Sequence, residues 1–96
     1  FDILLTDEAK EQLSQLKRDK SLAKRHNAVK KTIHFLSQNP RHPGLQTHEF
    51  TSLKGPKGEK VFEAYAEQST PAAYRIFWHY GPGSKEITVI AITPHP

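Results

Sequence analysis

Apolar positions change their period midway along the chain, from helical spacing to alternation, and the change divides it into a helical half and a strand half. Phe1-Asp2-Ile3-Leu4-Leu5 alternates well enough to predict a short strand. Thr6 then offers an N-cap, with Asp7 and Glu8 as the acidic first turn that a helix dipole favours. Ala9, Leu13 and Leu16 recur at helical spacing up to the cluster Lys17-Arg18-Asp19-Lys20. Ser21 is read as the cap of a second helix, whose apolar positions are Leu22, Val29, Ile33 and Leu36. Asn39-Pro40 ends that helix, because the residue before proline is pushed out of the helical region. The pair is an αα-hairpin with one apolar face.

Arg41 to Gly58 reads as loop, although Glu49 to Lys54 has the composition of a brief strand. Three strand signals follow: alternating Val61 to Ala66, aromatic-rich Ala73 to Tyr80, and β-branched Glu86 to Thr93. Gln68 to Pro71 makes one turn, and Gly81-Pro82-Gly83-Ser84-Lys85 makes a hairpin loop. The expected fold is α+β: an N-terminal strand, an αα-hairpin, then an antiparallel sheet of three to four strands, in a single domain over 1–96.

Alternation assigns the faces. Tyr74, Ile76, Trp78 and Tyr80 should meet Leu13, Leu16, Val29 and Ile33 of the helices. Ala73, Arg75, Phe77 and His79 should share the other face, which no further element covers. In the last strand Ile87, Val89, Ala91, Thr93 and His95 share one face, provided no bulge intervenes. An arginine amid a strong strand has two readings: a structural cation paired with Glu63 across the strands, or a cation presented to a ligand on the open face.

Composition narrows the chemistry. The 96 residues contain no cysteine, which excludes disulfides, thiol nucleophiles and cysteine zinc sites. No charged n-region followed by an apolar stretch opens the sequence, and no apolar run reaches membrane length. The expectation is a cytoplasmic protein with no membrane partner. A net charge of +4 favours a polyanionic or acidic partner. Seven basic residues against one acid lie between Lys17 and Lys31, and Lys54, Lys57 and Lys60 form a second strip. Among the six histidines, His26 and His34 share a helix side but lack a third ligand at matching spacing, so no metal site is expected. Gly55-Pro56-Lys57-Gly58-Glu59-Lys60 lacks the strand-to-helix context and the Lys-Ser/Thr ending of a phosphate loop.

The element order, together with Ala73-Tyr74-Arg75-Ile76-Phe77-Trp78-His79-Tyr80, the glycine-containing hairpin, Ile87 to Ile92 and a histidine near the end, resembles the RelE/ParE superfamily of type II toxin–antitoxin toxins. Leu53-Lys54-Gly55 and the Val61 strand also stand where that family enters its sheet. The resemblance implies a ribosome-dependent, metal-independent mRNA endonuclease that needs no cofactor and is held inactive by a cognate antitoxin. It carries over Arg75 as the cation on the scissile phosphate, His95 as the acid that protonates the leaving oxygen, and Glu49 as general base. Lys54, Lys57, Lys60 and His48 are the implied contacts to messenger and ribosomal RNA. The chain ends His95-Pro96 where the YoeB-like branch ends His-Tyr. ParE-like members share the fold but inhibit DNA gyrase, which is the alternative target.

Overall fold

The computed structural model describes residues 1–68 and 70–94. Strand β1 (Asp2–Leu5) leads into helix α1 (Asp7–Arg18), a 3-10 turn (Lys20–Leu22) and helix α2 (Ala23–Gln38). A second 3-10 turn (Pro43–Leu45) precedes strands β2 (His48–Lys54), β3 (Lys60–Tyr65), β4 (Tyr74–Tyr80) and β5 (Glu86–Pro94). Among the described residues no helix is long and apolar enough to cross a membrane.

Local chemistry sets the helix ends. Thr6 caps α1 by accepting the Ala9 N–H at 3.1 Å, and Asp7 and Glu8 occupy the first turn. The entry to α2 differs from the sequence reading. Ser21 does not cap it: Asp19 caps the 3-10 turn, one carboxylate oxygen accepting from the Ser21 backbone N–H at 3.0 Å and from its hydroxyl at 2.6 Å, and α2 begins after Leu22 with no side-chain cap. Asn39 ends α2 in an extended conformation, as a residue before proline must.

The sheet has the order β1-β5-β4-β3-β2. Strands β2 to β5 are sequential antiparallel neighbours, and β1 adds a fifth strand parallel to β5. Both helices pack on one face. The buried cluster joins Ala9 and Leu16 of α1 and Val29 and Leu36 of α2 to Ile76, Trp78, Ile87, Val89 and Ile92 of the sheet. Leu13 and Ile33 are half-buried against it. Tyr80, expected with Ile76 and Trp78, lies at the strand end and stays 38% exposed.

The strict parity expected for the last strand does not hold. Phe77 pairs with Ala91 but Trp78 pairs with Val89, so Ile90 is an extra residue in β5. Ile87 and Val89 therefore point into the helix-facing core with Ile92, while Ala91 and Thr93 turn to the opposite face. Helix α1 stabilises the irregularity. β1 covers the outer edge of β5 only to Val89, and beyond it the Thr6 hydroxyl donates to the Ile90 carbonyl at 3.0 Å. The Gln12 side-chain oxygen accepts the Ile92 N–H at 2.6 Å. Backbone groups that an edge would leave bare are thus paired.

The face away from the helices is also less open than the sequence implied. Glu63, Arg75, Phe77 and His79 are only 6%, 8%, 8% and 3% exposed. Their neighbours in the sheet cover them: Phe50 lies against Phe77, with ring centroids 4.9 Å apart, and Tyr65 lies against Arg75. β2 bulges between Glu49 and Lys54, and such irregularity bends an edge strand.

Candidate functional site

Register brings one polar group together on this second face. His48 pairs with Glu63, Glu63 with Phe77, and Tyr65 with Arg75, so His48, Glu63, Tyr65 and Arg75 project on one side across three strands. Glu63 divides its carboxylate between two partners. One oxygen lies 3.2 Å from Arg75 Nη1 and the other 2.7 Å from His48 Nε2. The Arg75 guanidinium carbon sits 3.7 Å from the centroid of the Tyr65 ring, a cation–π stack. The His48 ring meets the same tyrosine edge-on at 5.7 Å.

The cluster is graded from inside to outside. Arg75 and Glu63 are buried, whereas the His48 side chain is 49% exposed. His48 Nδ1 lies 3.3 Å from the Gln46 carbonyl oxygen. Both ring nitrogens thus face oxygen atoms. Arg75 Nε is buried and has no hydrogen-bond partner. Arg75 also lines a cavity of about 510 Å³ whose other walls include Gln46, Tyr65, Glu67, Gln68 and Thr70. A guanidinium held at the wall of such a cavity is a fixed cation that an oxyanion could meet.

The other sequence-derived residues stand elsewhere. Glu49 pairs with Phe62, which places it on the opposite face of the sheet from Arg75. Its carboxylate lies 3.8 Å from Lys54 Nζ and 3.9 Å from Lys60 Nζ, so it belongs to the basic strip. Lys57 sits in the β2–β3 turn, where its backbone N–H donates to Glu59 at 2.7 Å. Backbone N–H donation from Glu59 itself and from Lys57 holds the Glu59 carboxyl below the usual carboxylate range. His95 lies outside the described residues; the strand before it places Thr93 opposite Arg75.

Two residues of the cluster went unassigned by sequence reasoning. Tyr65 carried no chemical signal of its own, and Glu63 entered only as a structural partner for Arg75. Their two-residue spacing on one strand is the sequence feature that puts them on one face. Among the described residues, no three of the histidines and carboxylates gather as metal ligands. The basic run on the helices is partly engaged: Arg25 lies 3.5 Å from Glu67 and stacks over Tyr74 at 5.4 Å.

No protein-family description and no curated protein matches the sequence. Solved structures do. A YoeB/ParE toxin from Agrobacterium tumefaciens superposes with a TM-score of 0.73, at 12% identity, over 100% of both chains. The fold is that of the YoeB and RelE toxins. The archaeal RelE chain of a RelE–RelB complex from Pyrococcus horikoshii OT3 gives 0.66 at 14% identity, covering 98% of this chain and 93% of its own. A YoeB dimer from Staphylococcus aureus gives 0.65 at 11% identity, covering 100% and 98%. At such identities the YoeB/RelE likeness is one of architecture: the five-stranded sheet and the paired helices on one of its faces.

Proposed function

We propose that the chain is the toxin of a type II toxin–antitoxin pair, and that it cleaves messenger RNA on the ribosome without a metal. The observation that carries this reading is the His48–Glu63–Arg75 cluster: a cation, a carboxylate and an imidazole in one contact chain beside a cavity. Cleavage through the 2′-hydroxyl needs those groups. A base takes the 2′-hydroxyl proton, the 2′-oxygen attacks phosphorus, the bond to the 5′-oxygen breaks, and an acid protonates that oxygen. Arg75 would hold the phosphate oxygens in the crowded intermediate. His48, at the exposed rim with Glu63 behind it, would exchange the proton. His95 keeps the role of acid that the family resemblance gives it, Glu49 faces away from Arg75 and so does not serve it as base, and Lys54, Lys57 and Lys60 would line the approach of the RNA backbone. The toxin fold and the RelE–RelB neighbour support a cognate antitoxin as the partner.

A second reading rests on a specific observation. Arg75 is held by both Glu63 and Tyr65, as a purely structural cation would be. Under it the protein acts by binding, as a ParE-like inhibitor of DNA gyrase. Induction in a bacterial host separates the two. RNA cleavage predicts loss of full-length transcripts within minutes while plasmid supercoiling persists. Intact transcripts with relaxed plasmid would establish the gyrase reading instead.

A further inference from the structure

The polar cluster is crossed in register. Tyr65 stands directly opposite Arg75, and His48 directly opposite Glu63. Arg75 therefore reaches Glu63 along a diagonal, and on the way its guanidinium lies over the Tyr65 ring, the carbon 3.7 Å from the centroid. The carboxylate is shared at the end of that path. Oε2 accepts from Arg75 Nη1 at 3.2 Å, and Oε1 lies 2.7 Å from His48 Nε2.

An arginine and a carboxylate left to themselves favour a different arrangement. Two parallel N–H groups then take both oxygens, at about 2.7–2.9 Å. Here one N–H is engaged, at 3.2 Å, and Arg75 Nε is buried with no hydrogen-bond partner. A fork through Nε and Nη1 would satisfy that donor. It would also occupy the oxygen that His48 now meets. Buried donors are rarely left unpaired, and this one belongs to a group already touching a carboxylate, so the guanidinium is held away from the fork.

The Tyr65 ring is placed to do this. Arginine stacks on aromatic faces, and at 3.7 Å the stack is close. The same ring meets His48 edge-on, with centroids 5.7 Å apart and planes at 72°, so it backs both partners of the carboxylate. We propose that Tyr65 is the positioning residue of this cluster: its ring confines Arg75 to a single bond with Glu63 and thereby keeps the second carboxylate oxygen for His48. A stack needs the ring and not the hydroxyl, so phenylalanine can replace it. The expected effect on cleavage rests on the nuclease reading above, whereas the geometry stands apart from it.

Tyr65→Leu removes the ring at a half-buried position, and Tyr65→Phe keeps it. Crystal structures of both variants and their cleavage of messenger RNA on purified ribosomes are compared with the wild type. Tyr65→Leu should let Arg75 close on both oxygens of Glu63 and move His48 Nε2 beyond about 3.5 Å from the carboxylate. Its kcat should fall about 10–100-fold, with KM kept within about twofold because the basic strip is untouched. Tyr65→Phe should rescue both the contact and the rate. If Tyr65→Leu does not fold, Tyr65→Met, unbranched and able to adapt to the gap, takes its place. A variant without the ring in which Glu63 still bridges Arg75 and His48 overturns the proposal, as does an unchanged kcat in that variant. A Tyr65→Phe protein as slow as Tyr65→Leu overturns it too, because the hydroxyl would then be the working group. A wild type that leaves message intact overturns the nuclease reading instead, and the position of His48 in the variant without the ring still decides what Tyr65 holds.

Discussion

Glu63 is the residue on which the polar cluster depends, since each of its carboxylate oxygens serves a different partner. Removing one member of a buried ion pair leaves the other desolvated and uncompensated, so Glu63→Gln should lower unfolding stability by about 3–5 kcal/mol in urea titration. Arg75→Met added to it should restore part of the loss, because the orphaned charge is gone. A single-variant loss below about 1 kcal/mol would mean that the pair is solvated rather than buried. The sequence made Arg75 legible as an unusual cation and Glu63 as its structural partner, through strand alternation alone. It could not assign Glu49. That residue stands one position from His48, and parity sends the two to opposite faces, so fixing its side requires the strand pairing of a segment that otherwise reads as loop.

At the scale of elements, the helix-to-sheet contact is the readable part. Trp78 and Ile76 sit where period two puts them, and Trp78→Ala should cost about 3–5 kcal/mol, measured by denaturant unfolding. A loss below about 1 kcal/mol would contradict its place in the core. The bulge at Ile90 was not readable, because Ile87 to Ile92 is apolar on both faces and the period offers no phase to break. Its stability rests on Thr6, whose hydroxyl both caps α1 and bonds the Ile90 carbonyl. Thr6→Val should therefore lose about 1–2 kcal/mol, more than a surface Thr→Val change. The β2–β3 turn carries a pH effect. The Glu59 carboxyl is lowered in the folded state, so it stabilises the turn above the ordinary carboxylate range, and that contribution disappears as pH falls through its lowered value. Hydrogen exchange at Gly58 and Lys57 should accelerate on acidification relative to the intrinsic rate, and Glu59→Gln should remove the dependence. Unchanged protection in the wild type across the same range would refute the assignment.

Over the whole molecule, one face of the sheet is committed to the helices and the other to the His48–Glu63–Arg75 cluster, in an architecture shared with toxins of 11–14% identity. The fold was legible because its element order follows from periodicity. The target was not, since a cation on a sheet face serves RNA cleavage and protein binding alike. A toxin reading also requires an inhibitor, and co-expression from the native operon should yield the chain bound to a second polypeptide; recovery of the chain alone would count against the pair. The most direct test of the central claim is end-mapping of messenger RNA on purified ribosomes with the wild type and with Arg75→Lys, which keeps charge but loses the guanidinium fork. The account predicts discrete cuts leaving 2′,3′-cyclic phosphate and 5′-hydroxyl ends, reduced at least about 100-fold in a folded Arg75→Lys variant. Intact message with the wild type, or equal cutting by both proteins, would contradict it.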